Sequence, residues 1–205
     1  MLSVESGDDD ILYRIQRRDR RVVYVTVLRP EIIPTEKRTY GPSVMDELSK
    51  LEVWNDNDWI TLRVDKDSSD GRIRCIKDFR EAHSVPKEYL LDHYLTYDIS
   101  NLPPIRHTKS RTWEVSLNGQ PSFLKIARFP HELKWIIQEI RAYHAVAESS
   151  VTPRLLGYVC ESLTQERIIG ILIEKVDGRC AELDDLDRCR DALDKLHRHL
   201  VHGDL

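Results

Sequence analysis

Residues 11–16 and 22–28 are rich in Val, Ile and Tyr and flank a short polar link, a pattern that predicts a β-hairpin. Pro30 then ends the second strand, and residues 31–40, with Pro34 and several charges, read as loop. Ser43 followed by Asp46 resembles a capping box, and Val44, Leu48 and Leu51 fall on one helical face, so a short helix is expected to about Leu51. Residues 59–64 alternate like a strand, 68–71 form a turn and 72–76 supply a second strand. The first hundred residues thus predict a small β-rich domain. The apolar, aromatic stretch through Tyr89, Leu90, Leu91, Tyr94, Leu95 and Tyr97 is expected to be a short connecting helix, and Pro103-Pro104 to mark the domain boundary.

Beyond that boundary, residues 113–117 alternate apolar and polar, Asn118-Gly119 is the dipeptide a type I′ hairpin prefers, and residues 123–127 return as the partner strand. Pro130 suits the first turn of a helix, and Leu133, Ile136, Ile137, Ile140 and Tyr143 give that helix one apolar stripe. Two apolar strands, 155–159 and 168–173, follow on either side of a polar turn. Leu186, Cys189, Leu193, Leu196 and Leu200 then step by three and four, predicting a last helix capped by Asp184 or Asp185. The fold class read from this pattern is α+β: a β-rich domain over residues 1–100, then residues 101–205 as a five-stranded antiparallel sheet with one helix, an extended hinge and a lone helix.

Composition narrows the function classes. The 205 residues are 40% apolar and 32% charged, enough for a packed core and too mixed for a disordered or fibrous chain. No apolar run approaches the ~20 residues of a membrane span, and the acidic start is unlike a signal peptide, so a cytoplasmic protein without membrane contact is expected. A net charge of −4 argues against a nucleic-acid partner. The basic run of Arg14, Arg17, Arg18, Arg20 and Arg21 reads as a solvated hairpin turn. Cys75, Cys160, Cys180 and Cys189 show no C-x-x-C spacing and read as reduced packing thiols. Asn55-Asp56-Asn57-Asp58 lacks the Gly and distal Glu of a calcium loop, and His197, His199 and His202 read as helix-end histidines complementing the dipole, so no metal site is expected.

The candidate chemistry lies in the second half. Lys125 is placed on the strand after a hairpin, and Glu139 on the following helix at the margin of its apolar stripe, pointing partly inward as a partner for that lysine. Glu132, nearly two turns earlier, is the reserve. The strand that ends at Ile173 runs into Glu174-Lys175-Val176-Asp177-Gly178, and the chain closes on His202-Gly203-Asp204-Leu205.

Taken in order, this succession resembles the small lobe, hinge and catalytic-loop opening of the protein-kinase-like fold. Gly203 makes the loop more similar to the small-molecule and atypical kinases that carry His-Gly-Asp, such as aminoglycoside and choline phosphotransferases, and the whole chain resembles a group of fungal kinase-like proteins. The resemblance implies an ATP-dependent phosphotransferase acting on a protein or small-molecule hydroxyl. Lys125, oriented by Glu139, would hold the nucleotide phosphates, and backbone groups of Glu174 and Val176 would read the adenine edge. Ile173 would bound the pocket, His202 would orient the loop, and Asp204 would be the base. ATP and Mg2+ are the implied cofactors of an intact relative. The loop Asn would fall five residues after Asp204, past Leu205, and the turn His107-Thr108-Lys109-Ser110-Arg111 has no glycine to bring backbone amides to a phosphate. The expectation is therefore an incomplete, inactive kinase-like chain. The alternative is a pseudokinase or scaffold whose first domain binds a protein partner. A glycosidase is the distant third, because no carboxylate pair across a sugar site can be picked.

Overall fold

The computed structural model describes residues 3–109, 111–149, 151–161 and 167–198. The protein is α+β, with two mixed sheets and three α-helices among the described residues. It divides into two compact units, Met1–Ala82 and His83–Leu205.

The first unit is a five-stranded sheet in the order β1-β2-β3-β4-β5, with β1 Ser3–Ser6, β2 Ile11–Gln16, β3 Val22–Val27, β4 Thr61–Lys66 and β5 Ile73–Lys77. β3 and β4 are parallel neighbours, a pairing that requires a crossover, and α1 (Gly41–Leu48) supplies part of it. The helix starts at Gly41, with Tyr40 at its N-cap and Pro42 in its first turn, so Ser43 and Asp46 lie inside it and form no capping box. Val44 and Leu48 of α1 pack with Tyr13, Val25, Trp59, Leu62 and Val64 into one core.

Two of the basic-run arginines are structural, which corrects the solvated-turn expectation. Arg14 is buried in β2. Arg17 donates through Nη1 to the Asp56 carbonyl and through Nη2 to the Trp54 carbonyl, each at 2.7 Å. Its guanidinium also lies 5.2 Å from the Trp59 ring centre. In the same loop, Lys77 bridges Asp56 at 2.7 Å and Asp58 at 2.9 Å, so these carboxylates answer a cation of their own chain.

The second unit is a six-stranded sheet in the order β6-β10-β11-β9-β8-β7, comprising β6 Leu95–Asp98, β7 Pro104–Lys109, β8 Thr112–Leu117, β9 Gln120–Ile126, β10 Leu155–Cys160 and β11 Ile168–Glu174. Five strands form an antiparallel array, and β6 adds to its β10 edge in parallel. Gly157 makes that edge possible, since a Cβ there would collide with the Leu95 carbonyl. Asn118 and Gly119 take the positive φ values of a type I′ turn, 51° and 82°. α2 (Leu133–Ala145) lays Ile136 and Ile140 against Leu155, Tyr158, Ile171 and Ile173, while Leu124, Ile126, Val159 and Leu172 build a second core on the opposite face. α3 (Leu186–His197) buries none of its residues, and Leu186 and Leu193 of its apolar stripe are exposed; Leu200 lies outside the described residues.

The segment before β7 departs from expectation. Its connecting helix is replaced by a short 3-10 turn, Lys87–Tyr89, and by the strand β6. Val85 donates its N–H to the Ile168 carbonyl at 2.7 Å, and the buried His83 Nε2 meets the Ala127 carbonyl at 3.0 Å. These bonds hold the stretch to the second sheet, so the division falls at Ala82/His83 rather than near Ser100–Pro104. Residues 107–109, expected in a turn, complete β7.

Candidate functional site

β9 sends Leu124 and Ile126 into one face of the sheet and Phe123 and Lys125 to the other, the face on which α2 lies. Gly170 of β11 lets the two strands close at this level, because a Cβ there would strike the Lys125 carbonyl. Lys125 Nζ lies 2.5 Å from Glu139 Oε2, and the two side chains keep 29% and 30% of their surface in solvent. The structure therefore brings the two residues together as a charge-assisted pair that water, or a ligand, can still reach. Tyr143, one turn along α2, has its hydroxyl pKa pushed up to about 12 by burial, with the Glu139 charge adding to the effect.

Glu132 has a different task. It is buried, accepts from the backbone N–H groups of Arg128 and Phe129 at 2.6 and 3.3 Å, and binds the Arg128 guanidinium at 2.6 Å. Burial works to raise its pKa, but the Arg128 hydrogen bonds outweigh it and the carboxyl sits below its ordinary range. A carboxylate so engaged at the start of the helix is not available to Lys125, which leaves Glu139 as the partner.

Cross-strand register places further polar groups on the face of Lys125. Lys109, Thr112, Lys125 and Ile171 are successive partners across β7, β8, β9 and β11, and Arg106, Glu114, Phe123 and Ile173 form the adjacent row. Glu114 is buried and takes Lys175 Nζ at 2.7 Å and Arg106 Nη2 at 3.2 Å. The Lys175 hydrogen bond holds its carboxyl below the usual range against the effect of burial. Nothing in residue type singles out these positions. The signal lay in the Asn118-Gly119 turn: with Leu117 opposite Gln120, counting outward puts Glu114 opposite Phe123 and Thr112 opposite Lys125.

Ile173 is buried at the end of β11, packed with α2 residues. The N–H of Glu174 is committed to the Arg154 carbonyl at 2.9 Å, and its carboxylate receives the Arg154 guanidinium at 3.1 Å. Of the two backbone groups of Glu174, the carbonyl is then the candidate contact for a base. Val176, just beyond, is exposed. His202 and Asp204 lie outside the described residues, so their placement against Lys125 is not part of this geometry. Among the described residues no group of three or more His, Cys, Asp or Glu side chains could hold a metal ion, and no helix is long and apolar enough to cross a membrane.

The arrangement is thus a cation steered by a carboxylate, flanked by a hydroxyl and further cations, and open to solvent beside an apolar helix contact. It can bind an oxyanion. No protein-family model, curated protein or solved structure matches the chain.

Proposed function

We propose that residues 83–205 form the nucleotide-binding lobe of a kinase-like protein, the N-terminal part of an ATP-dependent phosphotransferase acting on a protein or small-molecule hydroxyl. The observation that carries this reading is the 2.5 Å pair between Lys125 on β9 and Glu139 on α2, with nearly a third of each side chain in solvent. Phosphoryl transfer depends on positioning and charge stabilisation more than on covalent chemistry, so a fixed, reachable lysine is the group it needs first. Glu139 holds the ammonium in place. Lys125 meets the nucleotide phosphates, Ile173 bounds the base pocket, and the Glu174 carbonyl and Val176 backbone read the adenine edge. His202 orients the loop and Asp204 accepts the proton of the acceptor hydroxyl. Mg2+ would supply charge neutralisation on the phosphates, with no described residue assigned as its ligand. The cysteine spacing, with no C-x-x-C pair, suits a reducing cytoplasmic setting.

A second reading is a pseudokinase-type scaffold that retains the lobe without turnover and uses the first unit to bind a protein partner. The glycine-free link between β7 and β8 favours it, since backbone amides shielded by side chains approach phosphate poorly. The test is equilibrium titration of the full chain with Mg-ATP, beside Lys125→Met, followed by assay of phosphate transfer to generic hydroxyl acceptors. Saturable binding that Lys125→Met removes supports a nucleotide lobe, and transfer by the chain refutes the scaffold reading. No binding by the wild-type chain refutes the nucleotide reading.

A further inference from the structure

Resting on the nucleotide reading above, we infer that this site grips the polyphosphate chain of its nucleotide with two side-chain cations, Lys109 and Lys125, on either side of the Thr112 hydroxyl. No backbone-lined glycine loop is involved.

The register carries the argument. Lys109 pairs with Thr112, and Thr112 with Lys125, so the three side chains leave the same face of the sheet in one row across β7, β8 and β9. At the usual strand separation the two lysine Cα atoms stand roughly 10 Å apart, and their long side chains can converge above Thr112. An irregularity in β7 is what puts Lys109 there. Arg106 pairs with Glu114 on this face, and strict alternation would bring Thr108 next, but the register shifts between His107 and Lys109 and sets Lys109 opposite Thr112.

Charge singles out Lys109 among its neighbours. Lys125 is matched by Glu139, and Arg106 and Lys175 share Glu114. Lys109 makes no ion pair among the described residues, and residues 104–113 contain no acidic side chain. The row thus carries two ammonium groups against one carboxylate, an excess that an oligophosphate would neutralise. A lysine on an edge strand also deters strand addition, a role that does not depend on phosphate binding.

A phosphate-centred grip predicts that ATP and inorganic tripolyphosphate compete for the site, with affinities that fall as salt rises. The experiment is calorimetric titration of the full chain with each ligand at two salt concentrations, for wild type, Lys109→Gln and Lys125→Gln, with thermal melts to verify folding. The expected result is that both ligands bind wild type and that Lys109→Gln weakens both about tenfold without moving the melting temperature. Wild type that binds ATP with Lys109→Gln unchanged overturns the role of Lys109 and leaves the Lys125 reading standing. Binding of ATP but not of tripolyphosphate overturns the phosphate-centred grip. Binding of neither ligand overturns this inference together with the reading on which it rests.

Discussion

Two ion pairs in the second unit have the same length, 2.5 Å from nitrogen to oxygen, and opposite surroundings. Glu161 and Arg167 face each other where β10 ends and β11 begins, with 1% and 11% of their side-chain surface exposed. Lys125 and Glu139 keep nearly a third. The buried pair is built into the fold: Arg167 also donates to the His83 carbonyl at 3.1 Å and so ties the first residue of the unit to its central strands. The open pair connects a strand to a helix whose apolar contacts already hold it, so its geometry is available for a task other than stability. Chemistry needs charge that a ligand can still reach, and only one of the two pairs offers it.

The largest expected effect comes from breaking the buried pair. Glu161→Ala would take the counter-charge from the mostly buried Arg167 guanidinium, which keeps its bond to the His83 carbonyl, and should cost about 3 kcal/mol, read as a lowered urea midpoint. A loss below about 1 kcal/mol would mean that water reaches the site and that the contrast is false.

A smaller effect is expected from pH at the far end of the helix that carries Glu139. His144 Nε2 meets the Tyr158 hydroxyl at 2.9 Å, and that hydroxyl accepts the Leu91 N–H at 2.9 Å. Which of the two donates is set by the His144 tautomer. Burial, and then the nearby His93, lower the His144 pKa. The sign follows: below about pH 6.5 the unfolded chain takes up this proton before the folded one does, so stability falls as pH drops. The melting temperature should decline from pH 7.5 to pH 5, and the decline should be shallower in His144→Gln. Equal slopes would remove His144 from the account.

The smallest effect on stability belongs to the open pair. Lys125→Met should shift unfolding by less than about 1 kcal/mol, as exposed pairs do, while removing Mg-ATP binding. A large destabilisation would make the pair structural and dissolve the comparison.

How far these features were legible in the chain follows from what each depends on. The β2–β3 and β8–β9 hairpins and the α2 stripe are local patterns, and the orientation of Glu139 toward Lys125 follows from helical periodicity and one turn. β6 and β7 escaped because their residues are largely exposed and show no alternation; only pairing with β10 and β8 makes them strands. The division at Ala82/His83 escaped for the same reason, since Pro103-Pro104 is a local signal and the bonds of His83 and Val85 are not. Arg17 was read as solvated because its partners, Trp54 and Asp56, come from a distant loop. Of the site, the pair was legible and its surroundings were not: Lys109, Glu114 and Lys175 acquire meaning only through register.

The most direct measurement is to map which lysines an acyl-phosphate derivative of ATP labels on the full chain, by mass spectrometry, with and without excess ATP. The account predicts that label concentrates on Lys125 and Lys109 and that ATP suppresses it at both. Label spread over surface lysines such as Lys50 and Lys66, indifferent to ATP, would contradict the claim that this face binds a nucleotide.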